Sequence, residues 1–207
     1  MKIRIEPNTV AMLITDKCTA KCEMCCFSCS PANDFVMDKK IIRQVIEQAS
    51  QMSNINTVGF SGGEVFLVYD ILVEMIEYAS SLGLRTTCTT NAFWASTYEN
   101  TLEKLIRLKK IGLSKIGLSV DHYHQQFVSI ENIKNILRAC KRIGLPVDVG
   151  SVITKSTSDL SDLLFEIKDY MINVPHFRAA CLPIGRASTI DRSDLYYDDN
   201  LLNRDWI

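Results

Sequence analysis

The sequence predicts an α/β fold, a partial (β/α)6 TIM-like barrel of parallel strands, and three observations lead there. Six apolar, β-branched runs recur along the chain, and the last five end about thirty residues apart, the length of one strand–helix–strand unit. Amphipathic stretches lie between them, so strand and helix alternate, the pattern of a parallel sheet with right-handed crossovers. Residues that tolerate a left-handed backbone stand where the helices should stop.

Taken in order, the predicted strands are Thr9 to Thr15, Thr57 to Ser61, Arg85 to Thr90, Lys115 to Val120, Pro146 to Ile153 and Phe177 to Ile184. Ile41, Ile42, Val45, Ile46 and Ala49 form a helical stripe at i, i+3/i+4 spacing. Ile133, Ile136, Leu137 and Cys140 form a second, and Leu160, Leu163, Leu164 and Ile167 a third. Asn56, Gly83, Gly112 and Gly144 are the expected helix stops. Six units fall short of the eight that close a barrel. A doubly wound sheet has the same alternation and stays open as the alternative. In either case ligands belong at the carboxyl ends of the strands, where the densest run of cysteines sits.

The 207 residues suit one domain, expected over 1–187, with a polar, acidic tail over 188–207. Twenty-three Lys and Arg balance 24 Asp and Glu, so no field draws the chain to nucleic acid or an anionic membrane. The apolar runs are strand-sized, too short to span a bilayer, and Met1 to Pro7 has no apolar signal core. The expected address is cytoplasmic, where thiols stay reduced.

Eight cysteines are the anomaly in this composition. Cys18, Cys22, Cys25, Cys26 and Cys29 crowd into one loop after the first strand, while Cys88, Cys140 and Cys181 are scattered. In a reducing compartment such a cluster points to a metal or redox site rather than a disulfide scaffold. Cys18-x3-Cys22-x2-Cys25 offers three thiolates, one fewer than the four an iron–sulfur cluster normally takes, leaving one iron open. Zinc is the rival, since Cys22/Cys25 and Cys26/Cys29 both have a spacing zinc uses. A second ligand pair would be needed, and His122, His124 and His176 make none with a cysteine. A redox CxxC would account for two cysteines only.

CxxxCxxC after the first strand of a βα-repeat chain resembles the radical S-adenosylmethionine (SAM) superfamily, and the likeness runs from Thr9 to Ala187. Gly62-Gly63-Glu64, ending the second strand, resembles the GGE motif that binds the amino group of SAM, where glycines allow close approach. Asn91 ends the third strand, and Ser119 and Asp121 end the fourth, where members contact the ribose or carboxylate of SAM. Ser151, in Gly150 to Ile153, matches the fifth-strand contact more weakly. Ile184-Gly185-Arg186-Ala187 resembles the segment beside the adenine.

The resemblance implies a [4Fe–4S] cluster on Cys18, Cys22 and Cys25, with SAM on the open iron. One-electron cleavage of SAM would then give a 5′-deoxyadenosyl radical that abstracts a substrate hydrogen. An electron donor such as a flavodoxin or ferredoxin is expected. Cys25 to Pro31 and Asp121-His122-Tyr123-His124 resemble maturases of ribosomal peptides, so the expected substrate is a peptide or protein. A glycyl-radical activase, a small-molecule enzyme, or a zinc or iron–sulfur module without SAM chemistry are the alternatives. Larger maturases carry a cysteine-rich domain with auxiliary clusters; no cysteine follows Cys181, so none is expected in the tail. Cys26 and Cys29 read as spare loop thiols or as substrate-handling groups. Cys140 reads as core filler, and Cys88 and Cys181 as packing, with hydrogen-atom donation as the sharper option. Glu64 serves either the turn or the ligand, His122 and His124 are acid–base groups or structural, and no catalytic residue is assigned.

Overall fold

The computed structural model describes residues 6–196. Its centre is a parallel sheet of β1 (Thr9–Leu13), β2 (Thr57–Ser61), β3 (Arg85–Thr90), β4 (Leu113–Ser119), β5 (Val147–Ile153) and β6 (His176–Ala180). The crossovers carry α1 (Lys39–Gln51), α2 (Tyr69–Ser81), α3 (Tyr98–Lys110), α4 (Ile130–Ile143) and α5 (Ser161–Ile167). Spatial order equals chain order, so the sheet is singly wound and curls into a half-barrel. A doubly wound sheet would reverse its order at a switch point, and this one does not.

Alternation along each strand separates two faces. Val58, Phe60, Ile116, Leu118 and Val149 are buried in one core with Ile42, Leu72, Leu105 and Ile133 of the helices. The concave face carries small residues. A Cβ built on Gly59 would stand 3.2 Å from Thr87 Oγ1 and 3.6 Å from Ala11 Cβ, while one on Gly150 meets nothing nearer than the Leu118 carbonyl at 3.9 Å. Glycine there keeps the half-barrel hollow rather than filled.

Helix ends follow local chemistry. Asp38 caps α1 by accepting from Lys40 N (2.7 Å), and Ser129 caps α4. Gly83, Gly112 and Gly144 have positive φ (81°, 115° and 64°), as the helix-stop reading required. Asn56 does not stop a helix: α1 already ends at Gln51, and Asn56 N donates to Asn8 O (3.0 Å) on the way into β2. Ile41 lies on the first apolar stripe yet is exposed, so only Ile42, Ile46 and Ala49 of that stripe are buried. The other two stripes pack as expected, with Ile133, Ile136, Leu137 and Cys140 buried throughout.

Three strands end earlier than their apolar runs, β4 by the single residue Val120. β1 stops at Leu13, because Thr15 Oγ1 donates to Phe35 O (2.7 Å) and turns the chain into the cysteine loop. β6 stops at Ala180; Pro183 has no N–H to donate, and Gly185 then turns the chain with φ 60°. Among the described residues after Ala187, a 3-10 helix over Gly185–Thr189 ends and a short 3-10 turn, Arg192–Asp194, follows, so the segment is not featureless. The Met1 to Ile5 part of the signal-peptide reading and the tail from 197 onward lie outside the described residues. No helix among the described residues is long and apolar enough to cross a membrane.

Candidate active site

The loop between β1 and α1 is closed at its base by its own residues. Thr15 bridges Val36, Lys17 bridges Ser30, and Cys18 N donates to Ser30 O (3.1 Å). Asp16 accepts from Phe35 N and from Asn33 Nδ2, both at 3.0 Å. Within this frame short turns present the thiols: Cys25 N donates to Cys22 O and Ser28 N to Cys25 O, each at 3.2 Å.

The end of β2 docks under the loop. Gly63 N donates to Thr15 O (2.7 Å) and Glu64 N to Lys17 O (2.8 Å). A Cβ on Gly63 would lie 2.2 Å from Lys17 O. The glycine is therefore required for backbone to pass against backbone, besides any approach by a ligand.

Glu64 is wholly buried and its carboxylate is spent on the scaffold. It accepts from Phe66 N (3.0 Å), Thr90 Oγ1 (2.9 Å) and Asn91 N (2.8 Å), joining the ends of β2 and β3. Burial nonetheless raises its pKa from the ordinary 4.5 to about 7, against the lowering effect of those donors. The folded protein then holds a proton here, between pH 4.5 and 7, that the unfolded chain releases. The stabilisation this group provides is full below pH 4.5 and is lost as pH rises towards 7. Stability curves of the parent and Glu64→Gln should therefore differ by an amount that shrinks over that window and levels off above it. Parallel curves in urea unfolding would show that Glu64 titrates normally.

Asn91, fixed by Phe93 N donating to its Oδ1 (3.0 Å), reaches back with Nδ2 to Thr19 Oγ1 (3.1 Å) and Cys18 Sγ (3.7 Å). At the end of β4, buried Asp121 accepts from Tyr123 N, His124 N and Val152 N and from the His124 ring. Its pKa is lowered: burial opposes this, but the His124 contacts and the backbone donors outweigh it. His124 Nδ1 is thereby tied to Asp121, while its ring lines the cavity under the loop.

One cavity collects Cys18, Cys22, Cys25, Gly62, Gly63, Asn91 and Ser119, together with Cys26, Cys29, Thr89 and His124. Of the residues singled out in the sequence, Glu64, Asp121, Ser151 and Ile184 are not on its wall. Ser151 Oγ donates to Val120 O and meets His176 Nε2 (2.8 Å), and with Asp121 it lines an adjoining hollow. Ile184 stands past the early end of β6 and is exposed. His122 is engaged with Asp159 O (2.7 Å). Cys88 and Cys140 belong to the main core, and Cys181 is buried in a second cluster around the cysteine loop.

The loop holds two overlapping CxxxCxxC registers, Cys18/Cys22/Cys25 and Cys22/Cys26/Cys29. Electrostatics couples thiols of both registers. Burial pushes Cys22 up to about 12, and Asp121, Cys18 and Cys25 push further; burial raises Cys18, with Glu64 and Cys25 adding. Cys29 is raised by Cys25 and Cys18 in the same way. Cys26 is raised by burial and by Cys25 alone among the loop thiols. The neighbouring Cys29 thiol lowers Cys25, helped by the backbone at Cys29 and Phe27 and by Arg186, against burial, while Cys29 Sγ donates to Phe27 O (3.9 Å). Cys29 itself is raised by the same contact. Among the described residues no three Cys, His, Asp or Glu side chains close on a single-ion site. Thiols lining one wall suit a cluster in which each iron takes one thiolate.

Sequence reasoning missed how Arg186 is used. Its Nη1 donates to Cys22 O (2.7 Å), and its Nη2 to Ser28 O (2.9 Å) and Cys29 O (2.6 Å). The Gly185-Arg186 pair was visible, but its partners lie far upstream.

The chain is similar to YydG of Bacillus subtilis (strain 168), a protein named for a part in peptide biosynthesis, with 29% identity over 183 residues. That match covers 88% of this chain and 57% of YydG, so the chain spans little more than half the length of that relative. Methylornithine synthase PylB has a similar fold, with TM-score 0.68, 15% identity, and 92% of this chain and 58% of that one covered. Streptococcus suis SuiB bound to S-adenosylmethionine gives 0.62, 20%, 83% and 40%. Native anSMEcpe with AdoMet and the Kp18Cys peptide gives 0.62, 14%, 86% and 52%. The family model of the radical SAM superfamily matches residues 12–161, from β1 through the cysteine loop to the start of α5, and the chain belongs to that superfamily.

Proposed function

We propose that this protein binds a [4Fe–4S] cluster through Cys18, Cys22 and Cys25 and uses SAM to abstract a hydrogen atom from a peptide. The observation that carries this reading is the shared cavity that those three thiols line with Gly62, Gly63, Asn91 and Ser119. When bound, the cluster and SAM supply a 5′-deoxyadenosyl radical, given one electron from an outside donor such as a flavodoxin or ferredoxin. The chain's own part is to bind and orient. The Gly62-Gly63 backbone receives the amino end of SAM, and Asn91 and Ser119 stand ready for its carboxylate and ribose. Glu64 and Asp121 act at one remove, fixing the strand ends that carry Asn91 and Val152. Ser151 and Ile184 bear on the cofactor only through the positions of β5 and of the turn after β6.

A peptide substrate is supported by the likeness to YydG and by the open half-barrel. β1 and β6 are not paired to each other, so each leaves an edge on which an extended chain can add hydrogen bonds. A candidate precursor peptide, deuterated at one residue at a time, should pass deuterium into 5′-deoxyadenosine from a single position. If peptides give only uncoupled SAM cleavage and a small metabolite gives transfer, the peptide reading fails and the radical chemistry stands.

A further inference from the structure

We propose that Arg186 is the positioning residue of the cysteine loop: from the turn after the last strand it holds the loop after the first strand in its cluster-binding shape. This rests on the ligand reading above, and the contacts that carry it are specific. The guanidinium reaches three main-chain carbonyls, that of Cys22 and those of the adjacent Ser28 and Cys29, from the two ends of the thiol-bearing stretch. A planar fork of fixed donors can span such a set, whereas a single ammonium cannot hold all three in the same geometry.

The backbone repeats the contact. Arg186 N donates to Cys25 O (3.0 Å), and the preceding Gly185 packs so closely that a Cβ on it would lie 2.3 Å from Cys26 O. Every residue from Cys25 to Cys29 except Phe27 therefore meets this turn through its main chain. Ser28 holds a left-handed conformation (φ 55°) that a non-glycine residue keeps only where its surroundings fix it, and Arg186 takes its carbonyl. The acceptors are carbonyls rather than a carboxylate, so the arginine's role is to shape the loop. Since β1 and β6 are not paired, this clasp also bridges the open side of the half-barrel at the level of the thiols.

The test uses site-resolved alkylation of the apoprotein by iodoacetamide, followed by mass spectrometry, on Arg186→Ala, Arg186→Lys and Gly185→Ala. Cys22 and Cys29, both buried, report on the loop, and Cys140 in the main core reports on global unfolding. Arg186→Ala and Gly185→Ala should each speed labelling of Cys22 and Cys29 by about tenfold or more while Cys140 stays protected, because only a local unit has opened. Arg186→Lys should resemble Arg186→Ala. After anaerobic reconstitution all three variants should hold less iron and sulfide per chain than the parent. Parent-like labelling of Cys22 and Cys29 in Arg186→Ala overturns the proposal, as does labelling of Cys140 in step with them in both Arg186→Ala and Gly185→Ala. Parent-like behaviour of Arg186→Lys overturns it too, by showing that charge alone suffices. A parent protein that takes up no iron–sulfur cluster defeats the ligand reading instead, and the apoprotein labelling still reads the clasp.

Discussion

Cys18→Ala, Cys22→Ala and Cys25→Ala should each leave the anaerobically reconstituted protein without a [4Fe–4S] cluster and reduce SAM cleavage to background. Each substitution removes one of the three thiolates of the proposed register, although Cys26 and Cys29 line the same cavity. Cys26→Ala should keep both cluster and cleavage, because the proposed ligand set leaves Cys26 out. Cys29→Ala should also keep the cluster, and its effect should fall on Cys25, which loses the neighbouring thiol that lowers it. Iron and sulfide analysis with the spectrum of the reduced cluster decides between the overlapping registers. Loss of the cluster in Cys26→Ala and Cys29→Ala with retention in Cys18→Ala would assign the ligands to Cys22, Cys26 and Cys29.

Gly63→Val should be the most damaging change outside the cysteines. The new Cβ would stand 2.2 Å from Lys17 O and 2.8 Å from Asp16 O, both main-chain atoms of the cysteine loop, and neither can swing aside as a side chain would. The Gly63 N to Thr15 O and Glu64 N to Lys17 O hydrogen bonds must break, or the loop must lift from β2. A loss of roughly 2–4 kcal/mol in urea unfolding, with failure to load iron, is the expected result for a forced backbone shift in a packed site. Gly150→Ala is the matched control: its Cβ enters open space on the concave face and should change stability by less than about 1 kcal/mol. A Gly63→Val protein of parent stability and full iron content would mean that residues 15–17 move freely, and the docking of β2 under the loop would carry no weight.

What the sequence made legible was whatever depends on local pattern. The six strands, the glycine stops at Gly83, Gly112 and Gly144, and the apolar face of α4 follow from periodicity and backbone preference between near neighbours. Asn56 misled because an asparagine suits a helix stop and a strand entry alike, and only the position of Asn8 decides. The ends of β1 and β6 were overrun because Ile14 and Ile184 continue the apolar pattern past the last strand residues, Leu13 and Ala180, and Ile14 N still donates to Ser61 O (2.9 Å). Glu64 was ambiguous for a deeper reason. Its partners Thr90 and Asn91 sit on the next strand, and a carboxylate that braces a scaffold is spelled the same way as one that meets a ligand. The cysteine spacing was readable at sight, whereas the choice between its two registers depends on which thiols the folded loop turns toward one another.

The join between Arg186 and the cysteine loop also sets an order of events during synthesis. Arg186 and its acceptor at Cys22 are 164 residues apart, so the loop emerges from the ribosome long before its clasp exists. At translation rates of about 5–20 residues per second, that interval is roughly ten to thirty seconds. Through it the thiols of Cys22 and Cys29 lack the cover they have in the finished fold. Assembly machinery that supplied iron early would meet an unformed loop, and oxidants would meet unprotected sulfur. On the proposed reading, stable metallation would wait until Arg186 has been made, and oxygen exposure should harm newly made chains more than folded ones.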